Sequence, residues 1–120
     1  MGYIMKAMDR KALALQREIE RIKKELSELG DLRPGSLSRQ YNVCGKSGCR
    51  CKASPPEKHG PYYQVSYTRK GRSSSMFVRG EQVTRVRQQL KNYTRLRRLV
   101  DQWIETGGEL SNLHLAEKKG

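Results

Sequence analysis

A chain of 120 residues, 35% hydrophobic and 31% charged, has room for one thin-cored domain or one domain with an extension. Its 25 lysines and arginines against 12 acidic residues leave a net charge of +13, more than a solubility surface needs and suited to polyanions such as DNA, RNA or an acidic membrane face. No apolar run is long enough to span a bilayer, and Lys6 falls where a signal peptide would carry its apolar core, so a cytoplasmic, reducing setting is expected.

Residues 1–30 read as a helix. Met5, Met8, Ala12, Leu15, Ile19, Ile22, Leu26 and Leu29 recur at alternating spacings of three and four, which is a heptad seam. Gly30 stops it, and Pro34-Gly35 in the linker 31–36 prevents a restart. Seven basic and five acidic residues over 3–30 nearly balance, which marks a packing element. The seam, centred on Leu15, Ile19, Ile22 and Leu26, suits oligomerisation as a homodimer. In a parallel pair, Glu18 at g and Lys23 at e would bridge the chains. Pairing with the C-terminal helix of the same chain is the competing reading.

Residues 37–80 read as a three-stranded antiparallel meander. Leu37, Arg39, Tyr41 and Val43 alternate with Ser38, Gln40 and Asn42, and Tyr63, Val65 and Tyr67 alternate with Tyr62, Gln64, Ser66 and Thr68. A Lys70-Gly71 turn leads into Ser73–Val78, with Ser74, Met76 and Val78 on one face. Nine basic residues stand here against Glu57 alone. A sheet this small needs outside support.

Residues 81–106 read as a basic amphipathic helix. Val83, Val86, Leu90, Tyr93, Leu96, Val100, Trp103 and Ile104 fill one side, with Arg87, Lys91, Arg95 and Arg98 opposite. Arg97 intrudes on the apolar arc and Leu99 lies off it. Gly107-Gly108 are expected to end the helix and leave 107–120 as a flexible tail. The fold class is therefore α+β, a metal-stapled sheet flanked by an N-terminal heptad helix and a long C-terminal helix.

The metal expectation rests on Cys44, Cys49, Cys51 and His59, spaced Cys-x4-Cys-x-Cys-x7-His. Three soft donors and one borderline donor within sixteen residues suit a closed tetrahedral site, which is how structural Zn2+ is held. Gly45 and Gly48 let the chain fold back between the first two ligands. An iron–sulfur centre would ask for a fourth cysteine. An odd cysteine count also argues against a disulfide framework. No enzyme is expected: there is no His-Glu pair, no Ser-His-Asp set and no phosphate-cradling glycine loop, and Glu57 is the only carboxylate in the sheet zone.

The run Leu32-Arg-Pro-Gly-Ser-Leu37, then Tyr41, Cys44-Gly-Lys-x-x-Cys49-x-Cys51 and His59-Gly-Pro-Tyr-Tyr63, resembles an uncharacterised family of small basic proteins. They occur in bacteria, archaea and their mobile elements, often beside transposase genes. The resemblance covers residues 32 to about 105 and leaves the N-terminal helix mostly outside. It implies the same four ligands and no settled activity.

Two functions follow. In the first, nucleic acid lies on Arg39, Lys46, Arg50 and Lys52 around the metal turn, Arg69, Lys70 and Arg72 at the hairpin tip, and Arg87, Lys91, Arg95 and Arg98 on the helix. Tyr62 is the aromatic residue left over for bases, while Tyr63 and Tyr67 are expected to pack with Val65. DNA and RNA are both open. In the second, the chain is a non-catalytic scaffold that oligomerises through its first helix and docks on an acidic partner.

Overall fold

The structure, a computed structural model, describes residues 6–42, 48–53 and 59–117, without the side chains of Lys52 and Glu117. Helix α1 (Ala7–Ser27) is followed by strands β1 (Ser36–Asn42), β2 (His59–Arg69) and β3 (Arg72–Val78), then helix α2 (Val83–Glu117). Single 3-10 turns lie at Arg50–Lys52 and Gly80–Gln82. The class is α+β, as expected: an antiparallel sheet in the order β1-β2-β3 between an N-terminal helix and a long C-terminal one. The chain forms two compact units, Asp31–Tyr93 and Met1–Gly30 with Thr94–Gly120, and α2 contributes to both.

In the sheet unit, period-two alternation decides the faces. Leu37 pairs with Val65 and Val65 with Met76, while Tyr63 pairs with Arg39 and Val78. Val65, Val78, Val83 and Val86 make the core, with Leu37, Tyr63 and Leu90 packed against it. The opposite face is uncharged and hydroxyl-rich. There Ser38 Oγ donates to the Gln64 carbonyl at 3.2 Å, Gln40 Nε2 donates to Gln64 Oε1 at 3.0 Å, and the hydroxyls of Thr68 and Ser73 meet at 2.8 Å. The β2–β3 turn has positive φ at both Lys70 and Gly71, the twist that a two-residue hairpin needs.

Two hydrogen bonds fasten the connection before β1 to α2. The Arg33 backbone N–H donates to the Gln89 carbonyl at 3.2 Å, and Asn92 Nδ2 donates to the Asp31 carbonyl at 2.8 Å.

In the helical unit, the seam of α1 is covered within the single chain. Ile22 is 0% exposed, Ile19 is buried, and Leu15 and Leu26 are half-buried. Glu25 accepts from Arg95 at 2.7 Å, and the Lys23 ammonium stands 5.4 Å from the Trp103 ring centroid. These pairs run in opposite chain directions, so the helices are antiparallel. The intramolecular pairing of the heptad is thus present in the chain: it buries Ile19 and Ile22 and leaves Leu15 and Leu26 half-buried.

Two features of α2 differ from expectation. Gly107-Gly108 do not end the helix, which runs on to Glu117 as one element of 35 residues, about 52 Å long. The expected tail is thus helical as far as residue 117. The buried line also shifts: Leu99 is 4% exposed, whereas Ile104 is 69% exposed and Val100 is exposed as well. Beyond Leu96 the covered or partly covered apolar side chains are Leu99, Leu110 and Leu113, with Gln102, Thr106 and Gly107 also partly covered and Trp103 beside Lys23. That 3.5-residue rhythm matches the seam of α1, and a straight wheel drifts away from it by roughly 20° per heptad.

Candidate metal centre

The ends of β1 and β2 place the ligands. β1 carries an irregularity between Gln40 and Asn42, after which Asn42 pairs with His59. β2 thus begins three residues before Tyr62 and takes His59 into the sheet. Gly60 makes this possible. Its φ is +137°, and a Cβ there would lie 2.8 Å from the Gln40 carbonyl oxygen and 3.0 Å from the Tyr41 ring. Only glycine lets β2 approach β1 so closely beside the histidine. The Gly60–Pro61 peptide is cis.

Cys49 and Cys51 flank the start of the 3-10 turn Arg50–Lys52. Cys51 is 0% exposed, Cys49 and His59 are half-buried, and neither thiol is in a disulfide. Cys49 Sγ lies 3.2 Å from His59 Nε2, and the three donor atoms lie within 4.8 Å of one another. Thiolates at ~2.3 Å and an imidazole at ~2.0 Å from one tetrahedral ion would stand about 3.5–3.8 Å apart. The Cys49–His59 separation is slightly shorter than that and no pair exceeds 4.8 Å, so Cys49, Cys51 and His59 are close enough to hold a metal ion. Cys44, the fourth expected ligand, lies outside the described residues, as do Val43, Gly45 and Glu57.

Other expected site residues fall in several places. Arg69, Lys70 and Arg72 line one cleft of about 530 Å³ with Tyr67 and Ser74. Among the described residues no carboxylate pairs with any of these three cations. Arg39 stands 5.9 Å from the Tyr41 ring centroid. Arg50 opens the 3-10 turn between the two cysteines. Arg87 and Lys91 are exposed on the part of α2 that belongs to the sheet unit. Arg95 and Arg98 belong to the helical unit, where Arg95 is tied to Glu25. Lys46 and the Lys52 side chain lie outside the described residues. Tyr62 is exposed, while Tyr63 packs on the core and Tyr67 faces the hairpin cleft.

Sequence reasoning missed Gly60, although the His-Gly-Pro order beside a ligand was its signal. It also passed over Arg33, Phe77, Arg79 and Arg85, which all contribute to the lining of one cleft near the end of β3. Only the fold brings those four together.

No curated protein and no solved structure matches the chain. The profile of one family matches residues 13–88, thereby taking in most of α1, which was expected to lie largely outside the resemblance, and ending within α2. With well over half of its length matched, the chain belongs to that family, described as a domain of unknown function, DUF6788.

Proposed function

We propose that this chain is a non-catalytic nucleic-acid-binding protein of the cytoplasm whose sheet is fastened by structural Zn2+. The observation that carries the reading is the convergence of Cys49, Cys51 and His59 in a chain of net charge +13. In this reading Cys44 closes a three-sulfur, one-nitrogen tetrahedron, a donor set that suits zinc and leaves no open position for catalysis. The ion ties the turn at 48–53 to the start of β2, which a small sheet with a valine core needs. Arg39, Arg69, Lys70, Arg72, Arg87 and Lys91 of the sheet unit then meet phosphates, and exposed Tyr62 adds an aromatic face. A protein of this kind suits an accessory role in a mobile element or a ribonucleoprotein.

The test is gel-shift binding to duplex DNA, single strands and structured RNA across a salt series, with and without a chelator. Six phosphate contacts on a duplex should give a log–log salt slope of about −5. Affinity should fall when the metal is removed. A chain that retains no polynucleotide at low salt, or that binds equally well without metal, would sink the reading.

A further inference from the structure

Strands β2 and β3 outrun β1. β1 pairs with β2 only from Ser36, opposite Ser66, while the β2–β3 ladder goes on through Tyr67 with Ser74 and Thr68 with Ser73 to Arg69 with Arg72. The chain before β1 is unsuited to prolonging that pairing, because Pro34 has no backbone N–H and Gly35 holds a φ of +124°. Residues 67–74 therefore form a two-stranded arm, and every one of them is exposed. The positive-φ turn at Lys70-Gly71 and the hydroxyl contact between Thr68 and Ser73 fix its shape. At ~3.4 Å per residue, its tip stands about 13 Å beyond the pairing of Ser36 with Ser66.

The charge on this arm is concentrated and uncompensated. Arg69 and Arg72 lie directly opposite each other, and alternation puts both on one face with Tyr67 and Ser74. Those four residues and Lys70 line the hairpin cleft. Like charges directly across a strand pair repel and cost stability. Among the described residues no carboxylate relieves them, and from His59 to Gly80 the sequence holds no acidic residue at all. An anion arriving from outside turns the repulsion into charge-assisted hydrogen bonds. The other face carries Thr68 and Ser73, whose short side chains keep the arm slim.

These dimensions select among polyanions. The major groove of B-DNA is about 12 Å wide and about 8.5 Å deep, and it admits a two-stranded ribbon. An arm that stands about 13 Å proud reaches its floor, where guanine O6 and N7 accept hydrogen bonds from arginine or lysine. The major groove of an RNA duplex is deep but too narrow for side chains to read. An unpaired strand is held by stacking on aromatic rings, and Tyr67 is the arm's one ring.

Resting on the nucleic-acid reading above, we propose that the arm 67–74 enters the major groove of duplex DNA, with Arg69, Lys70 and Arg72 at the base edges. Thr68 and Ser73, nearer the arm's root, then face the phosphates of the groove wall as hydroxyl donors.

Fluorescence anisotropy of the full chain tests this with three duplexes of one mixed sequence: plain DNA, DNA whose cytosines are glucosylated 5-hydroxymethylcytosine, and RNA. The sugar fills the major groove and leaves the phosphates as they were. The wild type should bind plain DNA at least about tenfold more tightly than either of the other two. The double substitution Arg69→Ala and Arg72→Ala should bind plain and glucosylated DNA alike. Its melting temperature should be no lower than that of the wild type, because the substitution removes a repelling pair. Equal wild-type affinity for plain and glucosylated DNA would overturn the proposal and leave the nucleic-acid reading standing, and that comparison needs no variant. A preference for the RNA duplex, or a double variant that still discriminates against the sugar, would overturn it as well. A wild type that binds no polynucleotide removes the broader reading together with the arm's role.

Discussion

Cys49 Sγ and His59 Nε2 meet at 3.2 Å although ten residues separate them, and Cys51 completes the group from a fully buried position. Nothing in local helix or strand geometry brings these atoms together. They meet because β2 starts early enough to carry His59 and because the turn at 50–52 folds the cysteines back onto it. Replacing Cys51 with Ser, or His59 with Ala, should remove a donor outright. Metal affinity should fall by more than the ~10–100-fold typical of losing an outer-shell partner. Zinc content by elemental analysis and a competition titration against a chelator check this; one metal per wild-type chain is expected.

Gly60→Ala should be among the most damaging small substitutions in the sheet. The new Cβ would lie 2.8 Å from the Gln40 carbonyl oxygen at a φ of +137°. Backbone strain of this kind costs about 1–3 kcal/mol, and separating β1 from β2 adds to it. Denaturant unfolding should show the loss, and metal affinity should fall with it because His59 is the next residue.

Ile22→Ala opens a cavity in the helical unit, since Ile22 is wholly covered inside the chain. A loss of about 2–5 kcal/mol is expected. Sedimentation should give the same monomer mass before and after the substitution. A change in mass would mean that the seam is shared between chains.

Gly108→Ala should stabilise. The residue sits within α2 with a non-positive φ, and a Cβ there meets nothing within 4 Å. Removing glycine from a helix interior is worth about 0.5–1 kcal/mol. A rise in thermal midpoint checks it, and no rise would mean that the helix ends where the glycines are.

The Glu18 carboxyl is held below its ordinary value chiefly by its hydrogen bond from Arg21, partly opposed by desolvation, with the charge of Arg21 adding a smaller lowering effect. Its support for α1 is therefore full above the ordinary value and is lost as pH falls through the lowered one. Both groups are exposed, so solvent screening keeps the effect on stability small. Carboxyl NMR should place the Glu18 midpoint below that of a free glutamate, and Arg21→Ala should return it.

Much of the fold is legible in the chain, for identifiable reasons. Heptad spacing in α1 and alternation in β2 are local patterns, and the positive-φ turn at Lys70-Gly71 is written in a dipeptide. What escaped the sequence depended on contacts between distant residues. Gly107-Gly108 read as a helix end because local propensity disfavours them, yet Leu110 and Leu113 continue the covered seam beyond. Leu99 was passed over because the wheel assumed an unpaired helix, whereas pairing with α1 sets a shorter repeat. Likewise, three of the four expected ligands could be tested for closeness, and they are close. Arg95 illustrates the reverse: its charge pattern suggested an outward-facing cation, while the fold gives it Glu25 as a partner.

Among the described residues β3 pairs only with β2, which leaves its outer backbone edge open there, with Arg72 at its first residue and Arg79 just past its last. Unpaired edges invite another strand to add on, and charged residues at their ends discourage it. Positive charge at both ends of this strand therefore disfavours edge-to-edge addition of a second copy.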